Sequence, residues 1–127
     1  MLTKSMITTM LPVSDVERAG QFYGDTLGLH QKASGADGSL VFDAGNGDAI
    51  GLMPAEAGAQ SEHTVLSFEV TDISGEIRDL ERRGVTFADY DQPDLRTVDH
   101  IAELGNEKAA WFSDSEGNIL CIHEVLG

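Results

Sequence analysis

Cysteine, tryptophan and basic residues are scarce in this 127-residue chain. The single cysteine, Cys121, excludes an internal disulfide and any cysteine-rich zinc site. Lysine and arginine together number 8 against 22 acidic residues, which gives a net charge of -14. Because binding to phosphate backbones depends on clustered basic side chains, this balance argues against nucleic acid and anionic membranes as partners.

Long apolar runs are also missing. No stretch approaches the roughly 18 continuous apolar residues of a membrane-spanning helix. The start of the chain, residues 1–5, lacks the apolar core of a secretory signal, so we expect a cytoplasmic protein. The hydrophobic content is 41%, which in a chain of this length suits one domain, residues 1–127, with its own core.

The same arrangement of elements occurs twice along the chain. A strand ending at Val13 leads into a helix closed by Gly28, and a strand ending at Val70 leads into a helix closed by Gly84. A long repeat that occurs only twice indicates a duplicated supersecondary unit rather than a solenoid. We therefore expect function to lie between the halves, which are module one at about 5–53, a linker at about 54–62 and module two at about 63–126.

In module one, residues 6–13 predict a strand, and Ser14 to Glu17 form a capping box with Ser14 as the N-cap. The helix that follows has its apolar residues at helical spacing, namely Val16, Ala19, Phe22, Tyr23 and Leu27. Short strands separated by turn-rich segments are predicted at 29–33, 39–44 and 48–53.

In module two, the pattern predicts a helix with Ile73, Ile77 and Leu80 on its core face. Strands are predicted at 64–70, 85–89, 109–112 and 118–124, so the order is βαβββ twice and the fold class is α+β. An insertion at 91–100 has no counterpart in module one. The segment from Tyr90 to Gly105 is either a lid over a ligand or an ordinary surface loop.

This order resembles the vicinal oxygen chelate superfamily, which includes glyoxalase I, extradiol dioxygenases, fosfomycin-resistance enzymes and bleomycin-binding proteins. The motifs that carry the resemblance are Leu11-Pro12-Val13-Ser14-Asp15, Phe22-Tyr23, Leu27-Gly28-Leu29 and Trp111-Phe112-Ser113-Asp114-Ser115-Glu116-Gly117-Asn118. The resemblance implies the glyoxalase/bleomycin resistance fold, in which two βαβββ modules curl their mixed sheets into open troughs that form a cavity.

The resemblance also indicates where metal-dependent members hold their ligands, at positions matching Thr8, Gly51, Val65 and Cys121. None of these residues is His, Asp or Glu, whereas a divalent metal needs three or four nitrogen or oxygen ligands. We therefore expect neither a metal nor another cofactor. A displaced metal site built from His63, Glu69 and His123 is an alternative, although its spacing forms no recognisable motif.

Strand alternation assigns the other side chains that line the expected cavity. Trp111 points inward by its match to the family, and the polar groups are sparse, which suits a flat, partly aromatic small molecule. Trp111 as plain core filler is the alternative. The predicted ligand-binding residues are Thr8, Met10, Ala49, Gly51, Met53, Val65, Ser67, Glu69, Trp111, Cys121 and His123.

The main prediction is metal-independent binding of an apolar or aromatic small molecule, as in antibiotic-sequestering members of the family. One alternative is a glyoxalase-like lyase or isomerase, which either has a displaced metal site or is metal-independent, with Glu69 and His123 moving a proton. A structural or regulatory module whose cavity has closed is another. We also expect a homodimer, because two open sheets expose edges that need covering.

Overall fold

A strand, a helix and three further strands form residues 1–60, the first of two units into which the chain divides. The computed structural model describes residues 1–127. The sheet has the order β1-β4-β3-β2, in which β1 runs parallel to β4 and the other neighbours are antiparallel. The elements are β1 (Thr8–Val13), α1 (Val16–Gln21), β2 (His30–Ser34), β3 (Leu40–Ala44) and β4 (Asp48–Pro54).

Helix α1 is capped by Asp15, and the prediction of Ser14 as its N-cap is wrong. The Asp15 carboxylate accepts a hydrogen bond from the Arg18 N–H at 3.0 Å. Both residue types cap helices well, but a carboxylate also interacts favourably with the positive end of the helix dipole. Sequence alone cannot separate two adjacent capping residues.

The first helix ends in a π-helical turn, Phe22–Thr26, before Gly28 reverses the chain with a φ of 75°. Ala19 and Tyr23 are fully buried, and the Tyr23 ring lies 6.3 Å from that of Phe42 in β3. The core of this unit therefore lies between the helix and one face of the sheet.

The second unit, residues 61–127, repeats this topology with the sheet order β5-β10-β9-β8, and β5 runs parallel to β10. This confirms the predicted α+β fold with two modules, although the assignment of one domain stays a prediction. Neither module contains a helix with the length and hydrophobicity of a membrane-spanning segment. The elements are β5 (Thr64–Glu69), α2 (Ile73–Arg82), β6 (Asp91–Gln92), β7 (Leu95–Arg96), β8 (Ala102–Leu104), β9 (Glu107–Ser113) and β10 (Ile119–Val125).

Helix α2 has the core face that its sequence predicts. Asp72 caps it by accepting the Gly75 N–H at 3.1 Å. Ile73, Ile77 and Leu80 are all buried. The Ile73 N–H also donates to the Glu124 carboxylate of β10 at 2.9 Å, which fixes the start of the helix on the sheet.

The predicted strand at 85–89 is wrong. This segment makes only one bridge, between Phe87 and Phe112 of β9, and the Ala88 N–H donates to the Trp111 carbonyl at 2.8 Å. The other end of β9 pairs with β8 instead. Residues 85–89 and β8 thus lie beside opposite ends of β9, with the insertion between them in sequence. Each therefore pairs with only part of β9.

Candidate functional site

In the first unit, five predicted site residues lie on the face of the sheet opposite its core. The register pairs Thr8 with Ala49 and Met10 with Gly51, while the alternate residues Leu11 and Leu52 are buried. Met53 follows on the same face by alternation. We call this surface the Met10 face, consisting of Thr8, Met10, Ala49, Gly51 and Met53.

The Met10 face carries two flexible methionine side chains, and the absence of a side chain at Gly51 leaves room for that of Met10. A Cβ at Gly51 would lie 2.5 Å from Met10 Sδ, so the thioether lies over the glycine. The exposed fractions of Met10 and Met53 are 45% and 36%. These methionines are therefore surface residues, and a flexible, polarisable surface of this kind adapts to irregular apolar ligands.

In the second unit, five of the six remaining predicted residues lie opposite the face that packs on α2. The register aligns Ser67, Cys121 and Trp111 in one row across β5, β10 and β9, and it aligns Glu69 with His123 in the next. Val65 has no partner in β10, because the register between β5 and β10 shifts by one residue at this point. The pairing therefore does not fix the face on which Val65 lies. We call this surface the Trp111 face, consisting of Ser67, Glu69, Trp111, Cys121 and His123.

A short polar chain crosses the Trp111 face. Ser67 Oγ lies 2.6 Å from His123 Nδ1, and His123 Nε2 lies 3.8 Å from Glu69 Oε1. The tautomer with its proton on Nε2 fits both neighbours, since Nδ1 then accepts from the hydroxyl and Nε2 faces the carboxylate. The His123 side chain is 21% exposed and that of Glu69 is 71% exposed, so the carboxylate is the solvated end of the chain.

Trp111 is half-buried, whereas its neighbours Ala110 and Phe112 on the opposite face are buried to 0% and 2% exposure. The Tyr90 ring meets the indole edge-to-face, with a centroid distance of 5.6 Å and an interplanar angle of 88°. Aromatic pairs of this geometry are favourable and hold a ring in place. The tryptophan is therefore positioned on the surface of the sheet, which argues against simple core filling.

Cys121 lies between Ser67 and Trp111 and is buried. Burial raises the pKa of its thiol above the ordinary value, and this outweighs the opposing effect of a hydrogen bond with Ser67. The thiol donates weakly to the Ile122 carbonyl at 3.4 Å. A protonated, buried thiol is a poor nucleophile, so Cys121 acts here as a small apolar residue.

The segment from Tyr90 to Gly105 contains two residues whose importance the sequence did not reveal, Tyr90 and His100. His100 Nδ1 lies 2.9 Å from Asp89 Oδ1, its Nε2 lies 3.4 Å from Glu81 Oε2 of α2, and its ring stacks on Phe87. His100 thus fastens the insertion to α2. No motif marks it, because its partners come from α2 and from the separate segment that holds Phe87 and Asp89.

Three open depressions lie along the insertion. One is lined by Asp89, Tyr90, Asp91, Arg96 and Thr97. The second is lined by Ser74, Ile77, Arg78, Glu81, Asp99, His100 and Ile101. The third is lined by Ser74, Arg96, Val98, Asp99, Ile101, Glu103 and Lys108. The first includes Tyr90, the ring partner of Trp111.

A metal does not fit the residues present. The four positions that match family ligands hold a hydroxyl, a glycine, a valine and a protonated thiol, at Thr8, Gly51, Val65 and Cys121. The structure brings together no three His, Cys, Asp or Glu residues in a group that could hold a metal ion. The displaced set, in which His63 joins Glu69 and His123, is therefore not assembled.

Comparisons with known proteins agree on the fold. The profile of the Glyoxalase/Bleomycin resistance protein/Dioxygenase superfamily matches residues 5–122. A comparison with curated protein sequences finds no match. A solved member of that superfamily from Sphaerobacter thermophilus DSM 20745 is 25% identical with a TM-score of 0.76, over 98% of this chain and 99% of its own.

Two other solved structures share the fold at lower identity. TnmS3, an antibiotic binding protein from Streptomyces sp. CB03234, is 24% identical with a TM-score of 0.68, over 98% of both chains. Lactoylglutathione lyase from Agrobacterium tumefaciens is 17% identical with a TM-score of 0.68, over 95% of this chain and 93% of its own. One neighbour is thus a binding protein and the other an enzyme.

Proposed function

Because this chain belongs to the Glyoxalase/Bleomycin resistance protein/Dioxygenase superfamily, whose fold serves both binding and catalysis, we propose that it binds a planar, apolar or aromatic small molecule without a metal. The ligand stacks on Trp111. The sparse polar groups Ser67, Glu69 and His123 orient it.

The observation that carries this proposal is the position of Trp111. A half-buried indole braced by Tyr90, beside the small residue Cys121, presents a flat apolar surface with a hydrogen-bonding chain next to it. Small-molecule sites typically combine a mainly apolar surface with a few placed polar groups. TnmS3, which shares the fold, is an antibiotic binding protein, and this supports a binding role. Residue types unsuited to metal binding favour binding over metal chemistry.

Intrinsic fluorescence tests the proposal, because Trp111 is the only tryptophan. Flavin and anthraquinone compounds are titrated into the protein, with saturable quenching as the expected result. Cationic bleomycin-like compounds form a second arm at two salt concentrations, since binding through Glu69 weakens as salt rises. Free N-acetyltryptophanamide, titrated under the same conditions, is the control for quenching that does not arise at this site. Absence of saturable quenching in both arms contradicts the proposal.

Whether the Met10 face also contacts ligand stays a prediction. Met10→Ala and Met53→Ala each remove an exposed thioether, so the fold is expected to survive. Weaker quenching in these variants supports a contribution of that face, and unchanged titrations remove it from the ligand-binding set.

A second candidate function is general acid–base catalysis, as in a metal-independent lyase or isomerase. It is favoured by the approach of His123 Nε2 to Glu69 Oε1, at 3.8 Å on an accessible face. A histidine beside a carboxylate is a common general base, and such contacts tighten when substrate binds. Turnover that is lost in both His123→Gln and Glu69→Gln distinguishes this candidate from binding alone.

A further inference from the structure

We propose that the site hydrolyses small aryl esters, with Ser67 as the nucleophile that accepts the acyl group. His123 activates the serine as a general base, and Glu69 orients the imidazole of His123. This activity goes beyond ligand binding. It is carried by the geometry of the polar chain on the Trp111 face.

The hydroxyl and the imidazole are already in contact. Ser67 is exposed, and its Oγ lies 2.6 Å from His123 Nδ1, within the range for proton transfer between a nucleophile and its base. A carboxylate stands on the other side of the ring, with Glu69 Oε1 at 3.8 Å from Nε2. Serine, histidine and carboxylate follow one another in the order of a nucleophilic triad, and the proposal requires the His123–Glu69 contact to shorten to a hydrogen bond when substrate binds.

The neighbouring thiol does not compete for this role. Cys121 lies beside Ser67 in the same row, but it is buried and burial raises the pKa of its thiol, whereas the hydroxyl of Ser67 is solvent-accessible. The nucleophile on this face is therefore the serine rather than the cysteine.

The backbone of β5 supplies a donor for the oxyanion. The Val70 N–H donates to the His123 carbonyl at 2.8 Å, so the amide of Val70 points towards β10. Amides alternate in direction along a strand, which turns the N–H groups of Ser67 and Glu69 away from β10. The Ser67 N–H thus lies at the outer edge of the strand, where it can donate to an oxyanion formed on its own side chain.

The chemistry balances without a further reagent except water. Ser67 Oγ forms a bond to the ester carbonyl carbon while its proton passes to His123 Nδ1. The tetrahedral intermediate expels the phenol, which takes that proton, and an acyl-serine remains. Water then attacks the acyl carbon and gives a proton to His123. The bond between that carbon and Ser67 Oγ breaks, the carboxylic acid is released, and His123 returns the proton to Ser67. The aromatic leaving group suits the site because Trp111 occupies the same row as Ser67.

Covalent labelling tests the proposal independently of turnover and of reversible binding. A fluorophosphonate probe transfers its phosphonyl group to an activated serine as fluoride leaves, and peptide mass spectrometry locates the adduct. We expect one adduct, on Ser67, with 4-nitrophenyl acetate giving an acyl adduct at the same residue. Removal of the base in His123→Gln should slow labelling by about 100-fold or more, and Glu69→Gln should slow it by less.

A matched variant serves as the control. Ser113→Ala removes another exposed serine of the same sheet, away from the polar chain, and should label at the rate of the unaltered protein. Ser67→Ala removes an exposed hydroxyl from a strand, so it should fold and remain unlabelled. The proposal is overturned if Ser67 carries no adduct, if the adduct lies on Cys121, or if His123→Gln labels as fast as the unaltered protein.

Discussion

Side chains on the Trp111 face differ in burial within a few ångströms, and this difference sets their chemistry. Ser67 is exposed, Cys121 in the next strand is buried, and Trp111 beyond it is half-buried. Alternation along strands predicts which residues share the face. It cannot predict their distances, because the contact between Ser67 and His123 depends on the register between β5 and β10, which shifts by one residue at Val65.

Cys121 gives a test of this face at the scale of one residue. Because burial raises the pKa of its thiol, alkylation by iodoacetamide should be slow at neutral pH and should accelerate only well above the ordinary thiol pKa of about 8.5. Fast alkylation of folded protein at pH 7 would show that the thiol is accessible and ionised.

The same shift has a consequence for stability. A folded-state pKa raised above the unfolded value means that folding favours the protonated thiol. The contribution of Cys121 to the free energy of unfolding is fully present below the pKa of the unfolded state, and it is lost as pH rises through the pKa of the folded state. As pH rises through this alkaline range, the denaturation midpoint of the unaltered protein should therefore fall further than that of Cys121→Ala. Equal falls would contradict the assignment.

At the scale of elements, helix positions follow from sequence better than the strands around the insertion. The core face of α2 is predicted correctly, because Ile73, Ile77 and Leu80 form a helical stripe. The segment at 85–89 has the composition of a strand but pairs only through Phe87, since β8 occupies the rest of that edge. The competition between two segments for one edge is a tertiary effect that local pattern does not contain.

The cap of α2 is expected to contribute measurably to stability. Asp72→Ala removes the acceptor for the Gly75 N–H and should lower the free energy of unfolding by about 1 kcal/mol in urea denaturation. Asp72→Ser, which keeps a capping oxygen, should recover most of the loss. Equal stability of the Ala and Ser variants would indicate that the cap contributes nothing.

The insertion ends in a strained turn at Asp99 and His100, and the contacts of His100 attach it to the rest of the unit. Asp99 and His100 have φ values of 52° and 71°, the left-handed region that favours glycine. His100→Gly and His100→Ala both lose the contacts with Asp89, Glu81 and Phe87, but only alanine keeps the backbone strain. The glycine variant should be more stable than the alanine variant by about 1 kcal/mol.

Hydrogen exchange of residues 90–105 should also rise in both His100 variants, because the insertion loses its attachment to α2. Unchanged exchange would mean that the hairpin of β6 and β7 orders the segment alone. Its action as a lid stays a prediction, since the structure shows an anchored segment and no closure.

For the whole molecule, the repeat in the sequence was enough to predict two βαβββ modules. The order of the strands within each sheet was not predicted, because it depends on contacts between segments distant in sequence. The homodimer stays a prediction. Each sheet ends in edge strands, and every residue of β2 is exposed, so we expect a dimer in sedimentation velocity at micromolar concentration. Because each chain carries a net charge of -14, association should strengthen as salt is raised. A monomer at high salt would rule the dimer out.

Calorimetric titration decides our claim that the fold holds a planar ligand against Trp111. The best-binding anthraquinone or flavin is titrated into the unaltered protein, Trp111→Phe and Trp111→Ala, with unfolding curves of each variant measured in parallel. Trp111→Phe should retain most of the affinity. Trp111→Ala should lose more than about 1.5 kcal/mol, or over tenfold in Kd, because both ring stacking and buried area are removed. Equal affinity in all three proteins, with a loss only of stability in Trp111→Ala, would make the tryptophan a structural residue and contradict the claim.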